Sequence, residues 1–311
     1  MSQPLEEKYA ELEPGIGAFM IAGERFYPPD AVNFTLAKQR AFYDRYAAHF
    51  RKPRPPGVLT SDFATGSIPC RLYQKAGALD PPVLLYLHGG GYMLGGLESH
   101  DDICAEICDG AAIDVVSVHY RLAPEHPFPA AFEDTLTVYR YLTGQYRRRL
   151  IGGDSAGGNL AAAACLKLRD EGGELPAGQV LIYPGLRGDM TKGSYITQAN
   201  APGLSTAALQ YYRDVYKGGD SKYAGPLRET NFAALPPAFL VAAGLDPQHD
   251  DCAEYANNLL AAGVPAQVRD EPQLVHAFLR ARHMSEPARA SFAAIVEAVR
   301  SLAYDGRLPA I

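Results

Sequence analysis

Apolar and polar positions change rhythm along the chain. Up to about residue 50, Phe34, Leu36, Phe42, Tyr43, Tyr46 and Phe50 are spaced among polar residues as on helices. A proline-rich break at Pro53, Pro55 and Pro56 ends that pattern. From about residue 60, short apolar runs alternate with amphipathic stretches. Val83 to Leu87 is continuously apolar, the mark of a strand buried on both faces. The pattern then predicts a helix over 99–111, a strand over 114–119, a helix over 130–142, a strand end at 150–151 and an alanine-rich helix over 156–169. A strand follows over 180–183. Further on come a strand over 238–243, a helix over 253–262, a strand over 266–270 and a last helix over 287–302. Alternating βα units predict an α/β fold with a mostly parallel central sheet and helices on both faces. Ligands in such sheets bind beyond the carboxyl ends of the strands.

Residues 187 to 227 interrupt this alternation. They carry Gly, Ser, Thr and Asn, then an aromatic helical stretch around Leu209, Tyr211, Tyr212, Val215 and Tyr216. The organisation expected is a helical cap segment over 1–50, core over 51–186, a cap insertion over 187–227 and core again over 228–311. No internal repeat or low-complexity tract is present.

Composition narrows the function classes. The net charge of −6 argues against nucleic acid, whose binding rests on cationic contacts to phosphate. The basic triplet Arg147-Arg148-Arg149 runs into an apolar strand and is expected to be a solvated strand entrance. No apolar run approaches the length of a membrane span, and the polar N-terminus lacks a signal core. The five cysteines are odd in number and scattered, which fits a reducing, cytoplasmic setting better than a disulfide framework. Cys104 and Cys108 share a helix face but lack further ligands, so packing rather than metal binding is expected.

Two glycine-rich motifs carry the chemistry. Gly153-Asp154-Ser155-Ala156-Gly157 fits G-x-S-x-G between a strand end and a helix start. In that context the serine sits on a turn too tight for larger neighbours, at a helix N-terminus whose free amides suit a developing oxyanion. His88-Gly89-Gly90-Gly91 follows the strand ending at Leu87. Amides there can approach one oxygen closely and, with that of Ala156, would form an oxyanion hole. A phosphate loop would need Gly-Lys-Ser/Thr, which is absent.

A serine nucleophile needs a base and an acid, in the order Ser, Asp, His for this fold. Asp246 follows the strand over 238–243 and His276 follows the strand over 266–270, both at the expected catalytic edge. Asp250 and Asp251 compete with Asp246, but Asp251 with Glu254 has the spacing of a helix N-cap box. His249 is too near Asp246 in sequence, and His283 falls in a predicted helical stretch. His49, His100, His119 and His126 have no partner visible from sequence, so solvated or core-satisfied roles are expected.

Taken together, His88-Gly89-Gly90-Gly91-Tyr92, the run from His119 to Ala131, and Gly153-Asp154-Ser155-Ala156-Gly157-Gly158-Asn159 resemble the hormone-sensitive-lipase family of esterases, the bacterial family IV enzymes. Leu235-Pro236-Pro237-Ala238 and Asp246-Pro247 with Asp250 extend the likeness, which runs from about residue 60 to 285. The resemblance implies an α/β-hydrolase fold capped by the two segments above. It implies Ser155, Asp246 and His276 as triad, and Gly90, Gly91 and Ala156 as oxyanion donors. No cofactor or metal is implied. The implied partner is a small-molecule ester with a short to medium acyl chain, and homodimers are common in the family. Two departures stand out: Gln248-His249-Asp250-Asp251 replaces the usual Leu-Arg-Asp-Glu, and Ala277 replaces the glycine after the histidine. The motifs leave amides, lactones and deacetylation open beside esters. A binding protein would not need a complete triad, and a dehalogenase or epoxide hydrolase would need aspartate in place of Ser155.

Overall fold

The computed structural model describes residues 4–28, 30–77 and 79–310. Residues 1–3 and 29 of the expected 1–50 segment, with 78 and 311, lie outside the described residues. The chain opens on α1 (Leu5–Lys8), α2 (Pro14–Phe26) and α3 (Leu36–Phe50). Glu13 and Thr35 accept the Ile16 and Lys38 amides, so both longer helices start on a side-chain cap.

The core follows as β1 (Val58–Thr65), β2 (Ile68–Lys75), β3 (Val83–Leu87), α4 (Asp101–Ala111), β4 (Asp114–Val118), α5 (Ala130–Thr143), β5 (Arg149–Asp154), α6 (Ala156–Asp170) and β6 (Gln179–Ile182). The insertion carries α7 (Ser194–Thr197) and α8 (Thr206–Tyr216); then come β7 (Ala238–Leu245), α9 (His249–Ala261), β8 (Ala266–Val275) and α10 (Glu286–Tyr304). One eight-stranded sheet runs in the order β1-β2-β4-β3-β5-β6-β7-β8. The pairings from β4 through β8 are parallel, while β1 and β2 are antiparallel to their neighbours. This leading hairpin is absent from the sequence-based expectation. β1 is largely exposed, so it lacks the continuous apolar run that marks the inner strands.

Inner strands bury both faces. Val83, Leu85 and Leu87 join α5, α6 and α9 in one core, while Leu84 and Tyr86 join α4, α10 and α2 in the other. Ala161 to Ala164 are fully buried in α6; their small side chains let that helix lie close on the sheet.

Several expectations need correction. β5 spans six residues, not a strand end, and Arg149 is buried at its start. The Arg149 guanidinium pairs with Glu174 at 2.6 Å rather than standing in solvent. β8 continues past 270 to Val275 because a register shift between Ala243 and Leu245 lets it pass Pro272 and pair Val275 with Leu245. Asp251 caps nothing: α9 begins at His249, and Asp251 lies buried in its first turn. The Asp251 carboxylate accepts from the Tyr195 hydroxyl at 2.9 Å and the Gly188 amide at 3.2 Å, joining α9 to the insertion.

Burial pushes the Asp251 carboxyl up to about 7, against the Tyr195 and Gly188 hydrogen bonds and the Arg213 charge. An unfolded aspartate titrates at about 3.9. The native state thus holds a proton that the unfolded chain has lost, and this contribution to stability declines as pH rises between those values. Asp251→Asn is therefore expected to gain in Tm relative to the wild type from pH 5 to pH 7 and to level off above. A Tm difference that does not change with pH would contradict this.

Candidate active site

Ser155 stands between β5 and α6 with φ 55° and ψ −117°. Such a backbone costs a non-glycine residue roughly 1–3 kcal/mol. Three backbone hydrogen bonds hold it: the Ser155 amide donates to Ile182, and its carbonyl accepts from Asn159 and Gly185. At about 0.5–1.5 kcal/mol each, they offset that strain. A Cβ on Gly153 or Gly157 would lie 2.2 or 1.8 Å from the Leu87 carbonyl oxygen, so the elbow presses directly on the end of β3. Glycine is required at both positions.

The β7–β8 register brings the next two groups together. Because Leu245 pairs with Val275, the residues that follow, Asp246 and His276, leave the sheet side by side. His276 Nδ1–H donates to Asp246 Oδ2 at 2.6 Å, and Nε2 lies 2.9 Å from Ser155 Oγ. The carboxylate fixes the tautomer, leaving Nε2 to accept the serine proton. Asp246 is fully buried, and its other oxygen accepts from the Gln248 amide at 2.8 Å. Such a chain can activate the hydroxyl for attack on an acyl carbon.

The loop after β3 faces the same space. Gly90 and Gly91 have φ 120° and 60°, and a Cβ on Gly91 would meet the Tyr212 ring at 2.5 Å. Gly90, Gly91, Ser155, Ala156 and His276 all line one cavity of about 550 Å³. The amides of Gly90, Gly91 and Ala156 donate to no acceptor among the described residues. Helices α2, α3 and α8 wall the cavity with Phe19, Tyr43, Tyr46, Leu209 and Tyr212, joined by Tyr27 just past the end of α2. These helices touch each other, as Gln39 Nε2 donates to the Tyr211 hydroxyl at 3.1 Å.

Sequence patterns miss the support behind the serine. Asp154 is buried, and its Oδ1 accepts from the Tyr86 hydroxyl at 2.8 Å and the Gly89 amide at 3.0 Å. His100 Nε2 lies 3.3 Å from the same oxygen, while its Nδ1 meets Ser99 Oγ at 2.8 Å. His100, expected to have no carboxylate partner, therefore has one. Burial opposes charge on Asp154, but His100, Tyr86 and Arg280 outweigh it and hold the carboxyl below the usual range. This carboxylate ties the serine turn to the glycine loop. Asn159 ties α6 to segments after β6 instead, its Nδ2 donating to the carbonyls of Gly185 at 2.7 Å and Ala224 at 3.1 Å. Asn159 belongs to the motif run, whereas His100 gives no signal, since its contact with Asp154 spans much of the core.

The other candidates lie elsewhere. His249 pairs with Asp250 and Asp270, and His283, in a turn rather than a helix, meets Glu106 at 2.9 Å. All five cysteines are buried and free, and no metal-type cluster of His, Cys, Asp or Glu occurs among the described residues. No helix there is long and apolar enough to cross a membrane.

Residues 84–280 match a family described by the alpha/beta hydrolase fold. The chain is 38% identical over 272 residues to the esterase LipI of Mycobacterium tuberculosis, covering 80% of this chain and 85% of that protein. It is also 38% identical over 227 residues to the carboxylesterase NlhH of that organism, covering 68% and 71%. An ethyl acetate hydrolase of Pseudomonas putida is 34% identical over 75% of this chain and 78% of its own. Among solved structures, an esterase of the bacterial hormone-sensitive lipase family superposes with a TM-score of 0.85 at 28% identity, covering 97% and 99% of the two chains.

Asp154→Asn keeps the shape of the support but removes the charge that holds His100 and the Gly89 amide. Because small misplacements of groups around a reacting atom are costly, kcat for an activated ester is expected to fall by about 10- to 100-fold, with KM changed less than about threefold. Unchanged kcat in a folded variant would show that the carboxylate does not position the loop.

Proposed function

The chain belongs to the α/β-hydrolase family, within the hormone-sensitive-lipase group of carboxylic ester hydrolases, and from that premise we propose that it hydrolyses short- to medium-chain esters through an acyl-enzyme on Ser155. The observation that carries this reading is the unbroken hydrogen-bonded chain from Ser155 Oγ through His276 to Asp246. Ser155 Oγ attacks the ester carbonyl as His276 Nε2 takes its proton. Asp246 keeps the imidazole oriented and stabilises the imidazolium that forms. The amides of Gly90, Gly91 and Ala156 receive the tetrahedral oxyanion, where each donor is typically worth about 10²–10³ in rate. His276 then protonates the departing alcohol. Water, activated by the same imidazole, cleaves the acyl-enzyme and restores Ser155.

Segments 1–50 and 187–227 act as a helical cap over this chemistry. Their tyrosines set the reach of the acyl pocket, and the cavity volume of about 550 Å³ suits a small-molecule ligand. Ethyl acetate, named for one relative, is a short ester of the class proposed.

With p-nitrophenyl esters from acetate to palmitate, turnover is expected to peak at short to medium chains. Ser155→Ala should lower kcat by about 10⁴-fold or more without changing the circular dichroism spectrum. Turnover that survives the substitution, or a maximum at palmitate, would contradict the proposal.

A further inference from the structure

Among the described residues, one buried cation at the cavity has no carboxylate to pair with. Five arginines are buried: Arg71, Arg149, Arg187, Arg280 and Arg282. Arg71 pairs with Asp62 and Asp101, Arg149 with Glu174, and Arg282 with Asp102 and Glu106. Arg280 forms no ion pair among the described residues, but it donates to the Ser99 carbonyl and the Tyr43 hydroxyl and feels the Asp154 charge. Arg187 differs from all four. It is 8% exposed, makes no ion pair among the described residues, and its Nη2 has no hydrogen-bond partner. Its guanidinium lies 5.5 Å from the centre of the Tyr216 ring, an interaction that compensates a buried charge only in part.

Arg187 also belongs to the cavity that holds Ser155 and His276. It follows by two residues Gly185, whose amide donates to the Ser155 carbonyl at 3.2 Å. On the other side, Tyr216 stacks at 3.7 Å on Tyr92, the neighbour of Gly91. A second cation, Arg213, lines the cavity as well; it donates to the Gly188 carbonyl and to the Tyr195 hydroxyl, behind which lies the buried Asp251. The two carboxylates that line the cavity with them are already engaged. Glu24 is held by Lys8 and Tyr9, and Asp154 by Tyr86, Gly89 and His100. Arg187 therefore brings to the cavity a positive charge that no carboxylate among the described residues pairs with, while the chain as a whole is acidic.

We propose that the preferred substrates are esters bearing a carboxylate remote from the scissile bond, selected by Arg187 with Arg213 beside it. This rests on the reading of the cavity as an ester-hydrolysing site. Removing one charged partner leaves a buried charge uncompensated, which is why a substrate that supplies the anion gains over its neutral counterpart.

Two matched comparisons test it, followed by acid release at low ionic strength. On the acyl side, monoethyl succinate, glutarate and adipate are set against ethyl butanoate, pentanoate and hexanoate. On the alcohol side, 4-acetoxybutanoate is set against butyl acetate. The anionic member is expected to exceed its neutral partner in kcat/KM by at least about tenfold on one side, mainly through KM. That ratio should fall close to one in Arg187→Met and persist in Arg187→Lys. If Arg187→Met does not fold, the wild-type ratio and the lysine variant still decide. Neutral esters turned over as well as anionic ones on both sides would overturn the inference and leave the esterase reading intact, as would a preference that survives in Arg187→Met. Hydrolysis of neither kind would instead overturn the esterase reading, and the inference with it.

Discussion

Where the first turn of α6 crosses the end of β3, two backbones meet with no side chain between them. A methyl group on Gly157 would come within 1.8 Å of the Leu87 carbonyl oxygen, and within 2.9 Å of that of His88. This contact sets the distance between the serine turn and the glycine loop that leaves β3. A larger residue would push the helix off the sheet, carrying Ser155 and the Ala156 amide away from Gly90 and Gly91. The alanine-rich face of α6 extends the same close approach along the helix, so the packing of one core serves the geometry of the cavity above it.

Three buried carboxylates near this crossing have different tasks because their neighbours differ. Asp154, surrounded by Tyr86, the Gly89 amide, His100 and Arg280, stays ionised despite burial. It holds the loop and does not face the imidazole. Asp246 gives one oxygen to His276 and the other to a backbone amide. Asp251 has a hydroxyl, one amide and the charge of Arg213 behind that hydroxyl, yet burial prevails there. The insertion and the core are thus joined by a carboxyl whose burial favours its protonated form.

Much of this is legible in the sequence, for identifiable reasons. Strands buried on both faces, such as Val83–Leu87, show as unbroken apolar runs, and the G-x-S-x-G turn is recognisable because steric demand fixes its glycines. Asp246 and His276 could be placed because each follows a strand at the same edge. What escapes notice depends on distant contacts or on local signals that mislead. Pro272 hides the end of β8, although a bulge carries the strand past it to Val275. The Asp251 and Glu254 spacing imitates a cap on a helix that in fact starts two residues earlier. His100 meets Asp154 across a long stretch of sequence, a contact that no local pattern announces. The β1–β2 hairpin is exposed along one edge and carries no apolar run to reveal it. Arg187 lies in a stretch whose composition reads as an irregular insertion, and only burial without a counter-charge distinguishes it.

The central claim is that His276, held by Asp246, makes Ser155 the reactive hydroxyl of this chain. It is tested most directly by treating the folded protein with an organophosphate ester such as diethyl p-nitrophenyl phosphate, then weighing the intact chain and mapping its peptides. The account predicts one diethylphosphoryl group per chain, on the peptide containing Ser155, and labelling slowed by orders of magnitude in His276→Ala. Labelling at another residue, or equally fast labelling of Ser155 without His276, would contradict it.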